Sequence, residues 1–485
     1  MHTYRARLGV ASIVGLIGAT VIATAAPVSA APAGKTDTAT QTTSQATVKW
    51  RFEVSGQYVS QPPAVGPDGG VVVASSTGNV YSLTADGGLK WTVPSVGADG
   101  GPSIGSDGTV YAASMHTITA IAPNGSIRWT FTEPSSAGQG VISGPTVGPD
   151  GNIYAISDLG GLGAFALSPS GQLLWSNAGN PKFAETGQLG AEIAFGSGRL
   201  FAAFDEQSAG PATMFGLGLG GAQQWAKPLG GSDDQLMQQQ RQPATGPDGS
   251  LYLTGMGGAN GWSLYRVDPA NGNVLWQRSP APSNGMSAPS VGPDGSVYFS
   301  RSLSYLDAIS STGQPRWTFT DGSIIDHPAV SPDGSVVVAG SRPNFGQPGT
   351  VKALNAATGK LRWQLDLPNE NGGNQILYSQ PRFSADSGTA YFGTAVLGGT
   401  GGSSYVYALD TGSSTTPPPA GQCTVPSVVG MTQAAAQAEI TAANCAVGSV
   451  QKVKSTEVGV VLEQSPAPGS TLPTGGKVTI TVGRK

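Results

Sequence analysis

Residues 289–319 read PSVGPDGSVYFSRSLSYLDAISSTGQPRWTF, and the fold follows from them. Four short strands alternate with turns: Ser290–Val291, Ser296–Ser300, Tyr305–Ile309 and Arg316–Phe319. Val297 and Phe299 share a face, and Trp317 centres the last strand. Gly-Pro-Asp-Gly and Ser-Thr-Gly make the turns, where Pro presets φ and Gly takes positive φ. One such unit has two open edges and no core of its own, so it is stable only beside copies of itself.

The copies are present. Tryptophans in like surroundings stand at Trp50, Trp91, Trp129, Trp175, Trp225, Trp276, Trp317 and Trp363, spaced 41, 38, 46, 50, 51, 41 and 46 residues apart. The turn recurs at Pro67-Asp68-Gly69, Asp107-Gly108, Pro149-Asp150-Gly151, Pro247-Asp248-Gly249 and Pro332-Asp333-Gly334. Gly196-Ser197-Gly198 and Asp386-Ser387-Gly388 fill the two weaker slots. A four-stranded repeat of about 40 to 50 residues is the pattern of a β-propeller blade. Eight units predict an all-β, eight-bladed propeller of four-stranded antiparallel blades over 46–410.

The ends predict how the ring closes. The last unit runs from Gln380 to Asp410 and then meets STTPPPAG instead of a Trp strand. The first Trp strand, Val48–Phe52, has no three strands before it. If the N-terminal strand completes the last blade, both ends are satisfied and no edge is left open.

Of 485 residues, 39% are hydrophobic and only 11% charged, while 72 Gly and 36 Pro fall at fixed offsets and report turns. Arg5 and Arg7 precede an uncharged run, and Val28-Ser29-Ala30 fits a cleavage site, so 1–30 reads as a secretory signal peptide and 31–45 as a flexible lead-in. A retained membrane anchor is the rival reading of that run. Net charge is −4, or −6 once Arg5 and Arg7 leave with the leader, which gives no attraction to nucleic acid.

Longer inserts fall at 180–189, 207–212, 230–242 and 255–261, with others at 341–349 and 397–404; gathered on one face, they would form the binding surface. Residues 411–421 form a Ser/Thr/Pro linker. From 422 to 485 the style changes to a small α+β unit. Thr432 caps a helix with Ala436, Ile440 and Ala443 on one face, and strand-like runs follow. Cys423 and Cys445 are the only cysteines, and in an exported chain they read as a structural disulfide worth about 3 kcal/mol for a loop of that length. With no histidine nearby, they do not form a zinc site.

The strings SVGPDGSVYFS, YLDAIS, VKALNAATGKLRW and YVYALDTG resemble the repeats of the pyrroloquinoline-quinone enzyme-like superfamily over about Ala46 to Thr411. That resemblance implies that the eight repeat tryptophans, Trp50 to Trp363, dock blade against blade. The superfamily holds quinone- and calcium-dependent dehydrogenases as well as non-catalytic rings, among them an outer-membrane assembly lipoprotein. Against the enzymatic branch, the propeller has no Cys for a vicinal disulfide and no Cys-x-x-Cys-His haem site. The recurring Asp68, Asp150, Asp248, Asp294 and Asp333 sit at turns, where carboxylates cap backbone N–H groups. VPSVVGMTQAAAQAEI and GVVLEQSPAPGSTLPTGGKVTITV resemble a PASTA domain, which implies contact with muropeptides or a spacer role. Lys452, Lys454, Lys477, Arg484 and Lys485 against Glu439, Glu457 and Glu463 leave that unit at +2.

Smaller motifs carry less. Gly101-Pro102-Ser103-Ile104-Gly105 matches a nucleophile elbow as a string, yet Ser103 occupies the slot of Ala64, Thr146, Ala244, Ser290 and Ala329 in other blades. Gly216 to Gly221 opens no helix, so it is no phosphate cradle. His116 and His327 lack ligand spacing, and Asp233-Asp234 reads as a solvated insert. The expectation is a monomeric, secreted, non-enzymatic scaffold of the bacterial cell envelope, without cofactor, metal or catalytic residues, that binds an envelope protein or cell-wall glycan through rim loops. The alternatives are an extracytoplasmic quinoprotein-type oxidoreductase using the central channel, peptidoglycan binding through the C-terminal unit, and a purely structural role.

Overall fold

The computed structural model describes residues 44–484, apart from 55–57, 98–99, 135–141, 158–160, 179–192, 205–212, 229–242, 257–261, 281–284, 303, 343–346, 371–372, 398–403, 413–421, 427, 430–432, 434–435, 438–439, 441–444, 456–457, 467–469 and 474. The expected signal peptide lies outside the described residues.

Six antiparallel four-stranded blades follow in sequence, starting at Ala64, Ser103, Thr146, Ala194, Ala244 and Ser290. A seventh runs from Ile324 to Asp366. The eighth is built from both ends of the chain. Arg382–Phe383, Thr389–Leu397 and Ser404–Asp410 are its first three strands, and Val48–Val54 pairs antiparallel with Ser404–Asp410 as the fourth. First strands touch at six of the eight junctions, Arg382–Phe383 with Ala64–Val65 among them, and apolar clusters span the other two, so the ring is closed.

Burial explains the repeat. Second strands such as Val71–Ala74 and Ile153–Ser157 are buried along their length. Their alternate residues serve two different interfaces: Val71 and Val73 pack against Tyr391 and Val406 of the last blade, whereas Val72 and Ala74 pack against Val110 and Ala112 of the next. A strand buried on both faces needs a continuous apolar run, and the sequence supplies one. Fourth strands such as Ile127–Thr132 alternate between exposed and half-buried, as befits an outer edge. Eight hydrophobic clusters sit between successive blades, the closing one included.

Each repeat tryptophan bridges two blades. Indole Nε1–H donates to a backbone carbonyl in the third-to-fourth-strand turn of the next blade: Trp50 to Ala85 at 2.8 Å, Trp91 to Pro123 at 2.8 Å, Trp129 to Pro169 at 2.9 Å, Trp175 to Leu219 at 2.8 Å, Trp225 to Pro269 at 3.0 Å, Trp276 to Ser311 at 2.9 Å, Trp317 to Ala356 at 2.9 Å and Trp363 to Thr411 at 3.0 Å. At all of these but Trp363 the indole also lies on that turn's glycine. At Gly171, φ is +84° and a Cβ would come within 2.6 Å of Trp129, so the position requires glycine twice over.

Two features differ from the sequence reading. Ser44–Gln45, at the end of the expected flexible 31–45 segment, forms a strand parallel to Trp363–Gln364, because the outer edge of the seventh blade has unpaired backbone groups to fill. Before the eighth blade, Asn369–Glu370 and Gly373–Leu377 form a hairpin that joins the extended second strand Thr389–Leu397. Residues 422–484 have their own core. The helical Ala436 and Ile440 pack with Val461, Val478 and Ile480, and Cys423 is bonded to Cys445 with Cα atoms 5.3 Å apart. Among the described residues, no helix is long and apolar enough to cross a membrane.

A chain lacking residues 1–54 should melt at least 10 °C lower than the whole chain and associate in a concentration-dependent way, because Ser404–Asp410 becomes an open edge. Calorimetry with size-exclusion chromatography checks this, and unchanged melting would contradict closure through Val48–Val54.

Candidate functional site

The antiparallel order sorts the connections by face. First-to-second and third-to-fourth turns leave one face, called here the turn face. Second-to-third links and links to the next blade leave the other, the connection face. Turn-face links are short throughout, such as Val65 to Val71 and Ile309 to Pro315. Every long link joins strand ends on the connection face: Ser176 to Ala194, Phe204 to Thr213, Pro228 to Ala244 and Met256 to Trp262. The inserts expected at 180–189, 207–212 and 230–242, with most of 255–261, lie outside the described residues, as does Asp233-Asp234, but their anchor points share one face.

The recurring carboxylates sit on the opposite, turn face. Asp68, Asp107, Asp150, Asp248, Asp294 and Asp333 each accept a backbone N–H two residues on, at 2.9–3.2 Å. Cations on the same blade complete several of them: Lys90 with Asp68 and Arg128 with Asp107, both at 2.7 Å, Arg316 with Asp294 at 2.8 Å, and Arg266 with Asp248. The Thr109 hydroxyl and backbone N–H, with Arg128 beside them, hold the Asp107 carboxyl down at about 2. These groups are occupied with their own turns.

Ser103 lies in a first strand opposite Tyr111, with its hydroxyl buried and without a hydrogen-bond partner. His116 and His327 belong to the second and seventh blades. His327 takes φ +50° at a bulge, with Nδ1 3.4 Å from Asp326 Oδ1. Gly216 and Gly218 are strand residues pairing with Phe201 and Arg199. Among the described residues, no three His, Cys, Asp or Glu side chains converge as a metal site.

The first-strand residue two before the Gly or Ser that opens the turn is small in seven blades: Ala64, Ser103, Thr146, Ala194, Ala244, Ser290 and Ala329. In the eighth it is Arg382, whose Nη1 donates to Gln380 Oε1 at 2.7 Å. Gln380 in turn donates to the Pro328 carbonyl of the seventh blade at 3.1 Å. Nearby on this face, Tyr58 and Tyr378 meet edge to face, 5.7 Å apart. A buried ion pair, Arg301–Asp307, sits in the sixth blade, and buried Lys352 of the seventh pairs with the exposed Asp321 in the link before it. Sequence reasoning missed all of these. Arg382 carried a signal, since it breaks a column of small residues.

Residues 38–242 and 260–416 match the family described as outer membrane protein assembly factor BamB, and residues 424–484 match the PASTA domain. No curated protein sequence matches the chain. Among solved structures, BamB from Moraxella catarrhalis is 18% identical and covers 75% of this chain and 99% of its own, with a TM-score of 0.55. The Dos1 propeller is 12% identical, covers 74% and 93%, and has a TM-score of 0.54. The C-terminal WD40 domain of Sif2 is 10% identical, covers 75% and 99%, and has a TM-score of 0.53. At these identities the likeness shows the fold.

The turn carboxylates give a pH dependence of known sign. Folding lowers the Asp107 carboxyl from its ordinary value of 3.8 to about 2, so its contribution is present above about pH 4 and is lost as pH falls toward 2. Asp107→Asn should flatten that part of the acid-unfolding curve and leave the neutral limb parallel to the parent. Equilibrium unfolding at pH 2–7 checks this, and an unchanged acid limb would exclude the assignment.

Proposed function

The chain belongs to the family described as outer membrane protein assembly factor BamB, and from that premise we infer that it is a non-catalytic scaffold of the cell envelope whose connection face binds a partner protein. The observation that carries this reading is the division of the ring between two faces. All long links join strand ends on the connection face, where they can vary without disturbing blade packing. Ser44, paired with Trp363, and Gly412, just past the third strand of the eighth blade, lie toward the turn face. The ring's own chain therefore departs from the side opposite its long links.

The role in the family's description, an assembly factor, is one of holding other proteins rather than of bond chemistry. Small residues at seven of the eight first-strand positions and carboxylates committed to turns support it. The match of residues 424–484 to the PASTA domain supports a second contact, with the cell wall, through that unit.

A photo-crosslinking residue at Met115, on the connection face, should give defined adducts with an envelope protein, while the same residue at Leu89 or Ile127, on the turn face, should give none. Equal labelling from both faces, or labelling from the turn face alone, would overturn the assignment.

A further inference from the structure

One stretch of the connection face breaks the repeat in three successive outward positions. From Tyr378 to Arg382 exposure alternates, with Tyr378 exposed, Gln380 and Arg382 half-buried, and Ser379 and Pro381 buried. In extended chain that alternation puts the three side chains on one side, spread over about 13 Å. In the third and sixth blades the corresponding positions are short or apolar, Ile142, Gly144 and Thr146, and Met286, Ala288 and Ser290; the seventh has Ile325, His327 and Ala329, and no blade but the eighth has an arginine at the last of the three.

The strip is held from beneath. Tyr378 N–H donates to Gly393 O at 3.1 Å, Gly393 N–H donates to Ser379 Oγ at 2.7 Å, and Gln380 is fixed on Pro328 O. Tyr58 joins from the neighbouring link, its carbonyl accepting Ser76 N–H at 2.9 Å. Tyr58 and Tyr378 are 46% and 37% exposed and are the only aromatics among the exposed large hydrophobic residues described. Two rings fixed by backbone bonds and left in solvent form a stacking surface that loses little entropy on binding.

We propose that Tyr58, Tyr378, Gln380 and Arg382 form a binding site for an oligosaccharide that carries a carboxylate. The C–H face of a sugar ring stacks on a tyrosine, Gln380 offers an amide to hydroxyl or acetamido groups, and the planar Arg382 fork suits a carboxylate. A protein hot spot fits this strip less well, because it needs anchors sunk in a desolvated pocket. Here the inward positions, Ser379 and Pro381, are already buried. Met115 apart, the other exposed large apolar side chains of the ring stand at the start of fourth strands, toward the turn face. Asp326, on the adjacent first strand, accepts His327 N–H at 2.9 Å, and its charge favours a ligand with a single acid over a polyanion.

The proposal rests on the connection face being the binding face and is independent of which protein docks there. The full chain is titrated by calorimetry with glucuronosyl-xylotriose, which carries a single carboxylate, and with xylotetraose, a neutral sugar of equal length. The acidic sugar should bind more tightly. Arg382→Gln should weaken it about tenfold or more and abolish the preference, with Arg382→Lys restoring it in part. Tyr378→Ala should weaken both sugars several-fold, and Tyr378→Phe should retain them. Thermal melting of each variant controls for folding, and the two conservative variants serve if an alanine or glutamine variant unfolds. Absence of saturable binding to either sugar, or equal affinity in all variants, would overturn the site. Binding of peptides at the strip in place of sugars would overturn it too. Crosslinking at Met115 would survive any of these results, so the scaffold reading fails or stands separately.

Discussion

The structure depends on one hydrogen bond made eight times: an indole N–H of one blade donating to a turn carbonyl of the next. Its net worth is about 1 kcal/mol per copy, comparable to an ordinary buried bond. Its importance lies in position. Each bond fixes the outer strand of one blade against the outer turn of its neighbour, so the wedge angle between blades is set at the rim as well as by apolar packing nearer the axis. In six blades the tryptophan is backed by an aromatic residue of its own second strand, 5.8–6.1 Å away, as with Tyr154 behind Trp175 and Phe201 behind Trp225. The indole is thus held on one side while the next turn's glycine lies on the other.

Closure makes this cooperative. The last donor, Trp363, reaches Thr411, while the first, Trp50, belongs to the strand that completes the eighth blade. The seventh blade's outer strand therefore holds both ends of the ring. Its edge pairs with Ser44–Gln45, Trp363 binds Thr411, and Arg362 donates to the Gly412 carbonyl at 3.1 Å. The eighth junction is also the least regular. A Cβ at Gly412 would meet nothing within 4 Å, in contrast to the seven other turn glycines beneath an indole. The join between the two chain ends keeps the carbonyl bond and gives up the close stacking.

Much of this was legible because the repeat is written in residue types with little freedom. Glycine at positive φ, proline before the turn aspartate and a tryptophan of fixed spacing state where the chain turns and what it docks on. The strand bounds of the unit at 290–319 came out within a residue or so for the same reason. What escaped was non-repeating and long-range. The hairpin of Asn369–Glu370 with Gly373–Leu377 has Asn371-Gly372 between its strands, a hairpin signal in sequence that falls outside the repeated turns, and its pairing with Thr394 to Leu397 is set by contacts far along the chain. Ser44–Gln45 reads as polar lead-in, since a two-residue parallel pairing leaves no mark on hydropathy. The candidate strip was hidden because Tyr378, Gln380 and Arg382 look unremarkable one at a time. They signify something only together, when Arg382 is set against the small residues of the other blades in the same register and Tyr378 against the buried Ile142 and Met286.

That comparison points to a general constraint on closed repeats. Eight similar modules in a ring share one packing rule, so a residue that serves the rule must appear in most of them and one that appears once serves something else. The turn aspartates, the tryptophans and the apolar second strands pass the first test, and all are spent on structure. Arg382 and the exposed tyrosine pair fail it, and they stand on the face where the links have room to vary. The pairs Arg301–Asp307 and Lys352–Asp321 fail it too, but Arg301–Asp307 is buried on both sides, and the buried Lys352 is already neutralised by the exposed Asp321 that covers it. Among the described departures from the repeat, the strip on the eighth blade is the one that combines exposure, rigidity and mixed aromatic and cationic character. The blade stitched from the two chain ends, freed of part of the repeat's regularity at its join, is also where the ring could acquire side chains that the other seven blades do not carry.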